Sequence, residues 1–368
     1  MSLQRMRCVF CLGLLLLAQP VARAADRDAA IDRGIEYLLA RGRGDDGSFS
    51  KESGPGVTAL CLSAVLRNRP SLRDEPRVKQ SLDYLESFVQ DDGGIYQPGG
   101  RFQNYETCLA INALSSANSD GRYKEILARA EAYVRGIQWD ESEDVSKADP
   151  SYGGSGYGRE VRQRPDLSNT SYLVSALKDL GRGPDDEAIQ RALVFVSRCQ
   201  NLDSQYNQTP FAGIVNDGGF YYTPAAGGAS MAGKTDGGGL RSYGSMTYAG
   251  LMSMIHAGLT SDDPRVAAAL QFIKDNYTLE QNPGMGDAGL YYYFHTFAKA
   301  LNAAGLESIE DAEGQKRDWR SDLIEAVTTA QQSDGSWVNA NNRWLEGDRN
   351  LVTAYSLLAL HYAGSTIP

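Results

Sequence analysis

Apolar residues recur three and four positions apart over most of the chain, in segments that come as pairs. The first segment of a pair is amphipathic, as in the spacing of Ile31, Ile35 and Leu38. A glycine-containing turn follows, and the second segment is apolar almost continuously. This spacing is typical of α-helices, and the pairing predicts hairpins that join an amphipathic helix to an apolar one.

The hairpin pattern occurs six times along the sequence. Its turns lie at residues 45–49, 91–96, 152–154, 216–221, 284–289 and 331–337, of which the fifth is degenerate. A threonine follows each turn near the start of the apolar segment, and the six are Thr58, Thr107, Thr170, Thr247, Thr296 and Thr353. In four repeats Ala and then Leu or Val come six and seven residues after the threonine. The chain is therefore predicted to consist of a structural repeat.

Six hairpins of this kind predict two concentric layers of helices. The apolar helices are expected to form an inner ring and the amphipathic helices an outer ring, because a helix that is apolar all round must be buried. An open stack of repeats needs polar capping repeats at its ends, and the sequence shows none. We therefore predict an all-α fold, a closed (α/α)6 toroid of six helical hairpin repeats, in a single domain over residues 25–368.

The N-terminal segment predicts export rather than a part of the fold. Arg5 and Arg7 precede an apolar run over residues 9–18, and a small-x-small motif follows at 22–24. These features are typical of a secretory signal peptide, here residues 1–24. No later stretch reaches eighteen consecutive apolar residues. We therefore expect a periplasmic or secreted mature chain without a transmembrane segment.

Composition narrows the classes of partner. The net charge is −10 over 368 residues, and removal of the signal peptide brings it near −13. Nucleic acids and anionic membranes bind surfaces rich in Lys and Arg, so this balance argues against a nucleic-acid partner. Three cysteines remain, Cys61, Cys108 and Cys199, and an odd number leaves at least one thiol unpaired within the chain. Their apolar surroundings favour buried thiols over a disulfide.

The last turn carries the most specific motif. Residues 331–337 read Gln-Gln-Ser-Asp-Gly-Ser-Trp, which resembles the QW motif of squalene and oxidosqualene cyclases and of protein prenyltransferase β subunits. The first and fourth turns resemble weaker copies. The segments 241–251 and 289–296 resemble a bacterial subgroup without an established reaction, the prenyltransferase/squalene oxidase repeat proteins. The resemblance spans residues 29–364 and implies an α/α toroid that acts on or binds an isoprenoid.

The catalytic motifs of these families are incomplete here. The Asp-x-Asp-Asp acid of triterpene cyclases and the Asp-Asp-x-x-Asp magnesium motif of ionising synthases are both absent from the sequence. By resemblance, His295 falls on the zinc-binding histidine of protein prenyltransferases, but residues 240–243 lack the Asp and Cys that complete that site. A catalytic zinc needs three protein ligands. We therefore expect no metal and no cofactor, and the sequence leaves open whether the protein is an enzyme.

A long loop in the fourth repeat and segments of the last two repeats predict where a ligand binds. Residues 218–242, 284–295 and 341–350 belong to neighbouring repeats and combine aromatic with polar groups. The catalytic candidates are His295, Tyr293, Arg241, Asp287, Glu346 and Asp348. The candidate ligand-binding residues are Tyr221, Tyr243, Tyr248, Tyr291 and Trp344.

These candidates have distinct expected roles. His295 and Tyr293 would orient or protonate a ligand, and Arg241 would supply positive charge. Glu346 and Asp348 form an acid/base pair or, alternatively, cap the helix that starts near Leu351.

Three functions stay open at this point. The tyrosines suit an aromatic cavity for an isoprenoid, whose cationic intermediates π faces stabilise. The alternatives are a non-enzymatic exported binding scaffold and a polysaccharide lyase or hydrolase, because α/α toroids also host those reactions. The expected ligand is a small apolar molecule or a glycan, and the oligomeric state is not determined by the sequence.

Overall fold

A computed structural model describes residues 26–158 and 164–366. The signal peptide predicted at residues 1–24 lies outside these ranges. Within them, none of the helices combines the length and the apolar character needed to cross a bilayer.

Helices account for almost all regular structure of the described chain. In chain order they are α1 (26–37, continued by a π-helical turn Leu38–Gly42), α2 (Pro55–Asn68), α3 (Pro76–Glu86), α4 (Gln103–Ala117), α5 (Lys124–Arg135), α6 (Leu167–Asp179), α7 (Glu187–Arg198), α8 (Gly244–His256), α9 (Pro264–Asp275), α10 (Leu290–Ala303), α11 (Trp319–Thr329) and α12 (Arg349–Gly364). Short 3₁₀ turns lie at Lys51–Ser53, Pro70–Asp74, Glu141–Glu143 and Arg343–Leu345. Two short strands, β1 (Ile309–Glu310) and β2 (Lys316–Arg317), pair antiparallel, with Ile309 opposite Arg317.

The six even-numbered helices form a closed inner ring. Each packs against the next one in chain order, and α12 returns to pack against α2. At this closing seam the side-chain amide of Asn68 donates a 3.0 Å hydrogen bond to the carbonyl of Leu357. The odd-numbered helices surround the ring and bury mainly their apolar stripes. The predicted all-α (α/α)6 toroid is therefore confirmed.

The repeated threonines fasten each turn to its inner helix. In five repeats the hydroxyl of the threonine accepts a backbone N–H from the turn, at 2.9 to 3.1 Å. The exception is Thr296, whose hydroxyl instead donates to the carbonyl of Tyr292 within its own helix. The fifth repeat therefore has a different register from the other five.

The turns also join each outer helix to the next. Gly153 has a φ of +83°, and a Cβ at this position would lie 1.8 Å from the carbonyl oxygen of Arg191 on α7. Glutamines at or before three of the turns make matching bonds, and they are Gln138, Gln200 and Gln331. Gln138 donates to the Ala188 carbonyl at 2.9 Å, and Gln200 donates to the Arg265 carbonyl at 2.8 Å. The motif that resembles QW is thus a structural joint between outer helices.

The three cysteines of the described chain are free and buried. Burial raises the pKa of the thiols of Cys61, Cys108 and Cys199, two of which donate weak hydrogen bonds, to the Asn350 carbonyl and to Oδ1 of Asn104. A thiol that stays protonated is a poor nucleophile and a poor metal ligand. These residues therefore pack as small apolar side chains.

Candidate functional site

The amino-terminal ends of the inner helices converge on a central cavity. Its volume is about 310 Å³. All six inner helices contribute wall residues from their first turn. We take one from each helix and call this set the first-turn ring: Val57, Glu106, Asn169, Met246, Tyr292 and Leu351. The cavity therefore lies on the axis of the toroid and belongs to every repeat.

Loops between the helices complete the wall of the cavity. Their contributions include Phe102, Tyr157, Tyr222, Met231, Tyr243, Trp344 and Leu345. Nine of the 21 wall residues are aromatic, and seven of these are tyrosines. The wall thus offers ring faces to apolar groups and a limited number of hydroxyls to polar ones.

Four tyrosines from different helices form one connected cluster in this wall. The rings of Tyr105 and Tyr172 meet edge to face at 4.8 Å, and Tyr172 stacks on Tyr292 at 6.4 Å. Tyr355 completes the cluster, because its ring lies 5.7 Å from that of Tyr292 and its hydroxyl oxygen lies 3.3 Å from that of Tyr105. Contacts among α4, α6, α10 and α12 therefore fix the shape of the wall.

Glu106 is a wall residue with proton-transfer chemistry. Its side chain is buried, and its Oε2 accepts a 2.8 Å bond from the backbone N–H of Gln97. Burial raises the pKa of its carboxyl group to about 7, although the Gln97 bond opposes the shift. Both the acid and the carboxylate are therefore populated near neutral pH, as in a general acid or base.

Glu346, the second wall carboxyl group, is tied into the fold. Its Oε1 accepts a 2.8 Å bond from the N–H of Tyr292, and its Oε2 accepts a 2.7 Å bond from the amide of Asn339. Burial raises the pKa of Glu346. Its oxygens hold the start of α10 in place, so Glu346 shapes the cavity by positioning Tyr292.

The described wall contains no lysine, arginine or histidine. In the same part of the chain, no three His, Cys, Asp or Glu side chains are grouped so that they would hold a metal ion. A ligand with a phosphate or carboxylate group would therefore meet two carboxyl groups and no cation among these wall residues. The described wall therefore disfavours an anionic ligand.

Three of the eleven site residues predicted from the sequence reach the cavity. They are Tyr243, Trp344 and Glu346. Asp348 instead caps α12, because its Oδ1 accepts the backbone N–H groups of Asn350 and Leu351. Asp348 therefore takes the capping role that the sequence left open as the alternative. Glu346 does not share this role, because it contacts the start of α10 instead.

His295 lies below the cavity and is not part of its wall. Its ring stacks on Tyr355 at 5.7 Å and lies 6.0 Å from Tyr362. Burial, followed by the charges of Lys299 and Arg67, lowers the pKa of His295 well below its usual value. Because α10 begins only at Leu290 and Thr296 is displaced, Tyr292 takes the wall position, and His295 lies about one helical turn deeper.

The other predicted residues also lie outside the wall. Tyr293 is buried and donates to the Thr278 carbonyl, and Tyr248 packs against it. Tyr291 packs against Phe294. Tyr221 donates to the Arg198 carbonyl. Two more are exposed. Arg241 donates to the Lys234 carbonyl within its loop, and Asp287 accepts a bond from Asn339 through its backbone carbonyl. None of these side chains reaches the described wall of the cavity.

Sequence reasoning missed the wall residues of the first three repeats. Glu106 and Asn169 directly precede Thr107 and Thr170, as Val57 and Met246 precede the threonines of their own helices. The position directly before the threonine is recognisable in the sequence, and in these four repeats it marks a wall residue. The prediction instead concentrated on repeats with long loops, whereas the cavity lies where all six helices meet.

No family model matches the sequence, and no curated protein matches it either. Solved structures share the fold at low sequence identity. The type II terpene cyclase MstE from Scytonema is 12% identical, with a TM-score of 0.54 over 92% of this chain and 98% of that chain. A glycosyl hydrolase of family 88 from Bacteroides vulgatus is also 12% identical, with a TM-score of 0.52 over 91% of this chain and 99% of that one. The chain therefore has the α/α toroid fold that terpene cyclases share with glycoside hydrolases.

Proposed function

We propose that this protein binds a small, uncharged, mainly apolar ligand of isoprenoid type in the central cavity, and that Glu106 exchanges a proton with it. The observation that carries the proposal is the position of Glu106, a carboxyl group with a pKa of about 7 in a wall of aromatic rings. Cavities that bind small molecules typically combine an apolar wall with few polar groups. The fold of MstE, a type II terpene cyclase, supports the isoprenoid class by analogy.

The chemistry of Glu106 limits the reaction that we propose. A carboxylic acid of near-neutral pKa suits proton exchange with an oxygen atom, such as a hydroxyl or ether, at neutral pH. The described chain lacks a second free acid in the wall, because both oxygens of Glu346 are held by Tyr292 and Asn339. Proton exchange at one ligand oxygen is therefore the step that the site supports.

A pair of matched ligands tests the proposal. Farnesol is a neutral isoprenoid alcohol, and farnesyl diphosphate has the same hydrocarbon chain with an anionic head. Calorimetric titration of the mature protein should show binding of farnesol and at least about tenfold weaker binding of the diphosphate, roughly 1.4 kcal/mol. Tighter binding of the diphosphate, or binding of neither, contradicts the proposal.

A substitution at Glu106 separates an enzyme from a binding scaffold. Glu106→Gln keeps the shape of the side chain but cannot exchange a proton, so any acid- or base-catalysed conversion of the bound isoprenoid by the wild-type protein should fall by about 100-fold or more. Glu125→Gln, on the exposed face of α5, is the matched control and should leave conversion unchanged. Mass spectrometry of extracted ligand measures conversion. If the wild-type protein returns its ligand unaltered, the scaffold function holds instead.

A glycan is the second candidate ligand. It is favoured by the exposed rings at the rim, because Phe102 and Trp344 each leave 46% of their surface in solvent, where sugar rings stack. The tyrosine hydroxyls of the wall would bond to sugar hydroxyls. A neutral disaccharide, titrated beside farnesol, distinguishes the two ligand classes. Native mass spectrometry of the protein from its own cell envelope would identify the retained molecule.

A further inference from the structure

Trp344 lies where the cavity meets solvent. It is a wall residue, yet 46% of its surface is exposed. The chain has four tryptophans, of which Trp319 and Trp337 are fully buried and Trp139 is half-buried. Leu345, the next residue, also belongs to the wall and is 51% exposed. The turn Arg343–Leu345 therefore places two large apolar side chains at the mouth of the cavity.

The backbone of this turn adopts a conformation that is rare for residues with a side chain. Trp344 has a φ of +58° and Leu345 has a φ of +65°, so two consecutive residues are left-handed. The N–H of Leu345 donates to the Asn342 carbonyl at 3.1 Å, and the N–H of Asp348 donates to the Leu345 carbonyl at 2.8 Å. Left-handed backbone at such residues costs free energy and is found mainly at functional sites. The turn therefore indicates a role for its two apolar side chains at the mouth.

Gly289 directly precedes α10 and lies against the indole of Trp344. A Cβ at this position would lie 3.0 Å from Cε3 and 3.1 Å from Cζ3 of that ring. A contact this short requires the ring to shift, and a longer side chain would displace it further. The guanidinium of Arg343 lies 4.3 Å from the ring centre. The indole thus contacts both its own turn and the start of the helix that carries the wall residue Tyr292.

We propose that Trp344 and Leu345 form an apolar roof that covers the hydrocarbon part of the bound ligand, and that Gly289 is a positioning residue that acts only through Trp344. Covering the ligand removes its hydrocarbon surface and the exposed indole from water together, which favours binding of a neutral isoprenoid. This inference rests on the proposed function and adds the part of the site that retains the ligand at the mouth.

Tryptophan fluorescence tests whether the ligand reaches the roof. Farnesol, titrated into the wild-type mature protein, should shift the emission to shorter wavelengths, because the ligand replaces water around Trp344. Trp344→Phe should abolish the shift. Trp139→Phe removes a tryptophan outside the described wall and should keep it. A shift that persists in Trp344→Phe, or calorimetric binding of farnesol to the wild-type protein without any shift, overturns the inference.

A double-mutant cycle tests the role of Gly289. Gly289→Asn should weaken farnesol binding at least about tenfold, because the new side chain displaces the indole while Asn tolerates a left-handed backbone. Gly286→Asn is the matched control, since Gly286 has a φ of +59° and a Cβ there would meet nothing within 4 Å. Trp344→Ala should also weaken binding at least about tenfold. In the Trp344→Ala protein, Gly289→Asn should cause no further loss.

The outcomes separate the roof from the proposed function. Unchanged farnesol affinity in Trp344→Ala overturns the roof and leaves the proposed function intact. An equal loss from Gly289→Asn with and without the indole overturns the positioning role of Gly289. Should Gly289→Asn not fold, the Trp344 variants still decide whether the roof contacts the ligand. Absence of farnesol binding to the wild-type protein contradicts the proposed function itself, and the roof with it.

Discussion

The side-chain amide of Gln331 donates a 2.9 Å hydrogen bond to the backbone carbonyl of Ala30, 301 residues earlier in the chain. The same nitrogen donates to the Gly335 carbonyl at 2.9 Å, so one amide joins the last turn to the first outer helix. Gln138 and Gln200 make the equivalent bonds between interior repeats. The bond from Gln331 therefore closes the outer ring, as the packing of α12 against α2 closes the inner one.

Gln331→Ala should lower the free energy of unfolding by about 1–3 kcal/mol, because it leaves two backbone carbonyls without their donor. Gln332→Ala is the matched control, since the neighbouring side chain is exposed and its loss should cost less than about 0.5 kcal/mol. Urea denaturation of both variants measures the difference. Equal stabilities would show that the joint does not contribute to closure.

Glu106→Gln should change how stability depends on pH. A solvated glutamate has a pKa of 4.5, whereas the pKa of Glu106 in the folded protein is about 7, so the folded state binds more protons between these values. Its contribution to stability is therefore complete below pH 4.5 and is lost as pH rises toward 7, by roughly 2–3 kcal/mol. The glutamine variant lacks this loss. Urea denaturation at pH 5 and pH 8 gives the free energy of unfolding of both proteins. The value of the glutamine variant, relative to that of the wild-type protein, should be higher at pH 8 than at pH 5.

His295→Phe should change the pH dependence of stability in the opposite direction to Glu106→Gln, with its effect in acid. The pKa of His295 is lowered in the folded state, so the unfolded chain takes up a proton first as pH falls below about 6.5. The wild-type protein loses that stability in acid, whereas the phenylalanine variant keeps its ring contact with Tyr355 and lacks this loss. Burial also lowers the pKa values of His256 and His361, so their loss of stability in acid is common to both proteins. Melting temperatures at pH 7.5 and pH 5 measure the difference. Farnesol affinity per folded molecule should stay unchanged, because His295 is not in the wall.

The mature protein should begin at Ala25. The basic start, the apolar run over residues 9–18 and the motif at 22–24 motivate this expectation. N-terminal sequencing of protein recovered from the periplasm or medium gives the cleavage site. A recovered chain that still contains Arg5 would refute processing at this position.

The toroid was predictable because its determinants repeat in the sequence. The alternation of amphipathic and apolar helices, together with the threonine after each turn, gave the two rings and the register of five repeats. The fifth register was not predictable in the same way, because a threonine is present there but bonds within its own helix. The resemblance of Phe294-His295-Thr296 to a zinc site therefore selected His295, which lies about one helical turn beyond the wall residue Tyr292.

The chemistry of the cavity was less accessible from the sequence. Glu106 lies in an ordinary short turn-to-helix segment, and nothing local distinguishes it from a solvated glutamate. Its altered pKa arises from burial where six helices distant in sequence meet.

The first-turn ring also separates recognition from assembly. In four repeats its residue directly precedes a threonine that fastens the turn, yet the bond to that threonine comes from the backbone of the turn and not from the ring residue. Substitutions at the ring can therefore alter the wall while these threonine bonds stay intact, although Glu106 also holds Gln97 through its carboxylate. A combinatorial library at six positions would sample new specificities on a constant scaffold, which makes this toroid a natural starting point for engineered receptors.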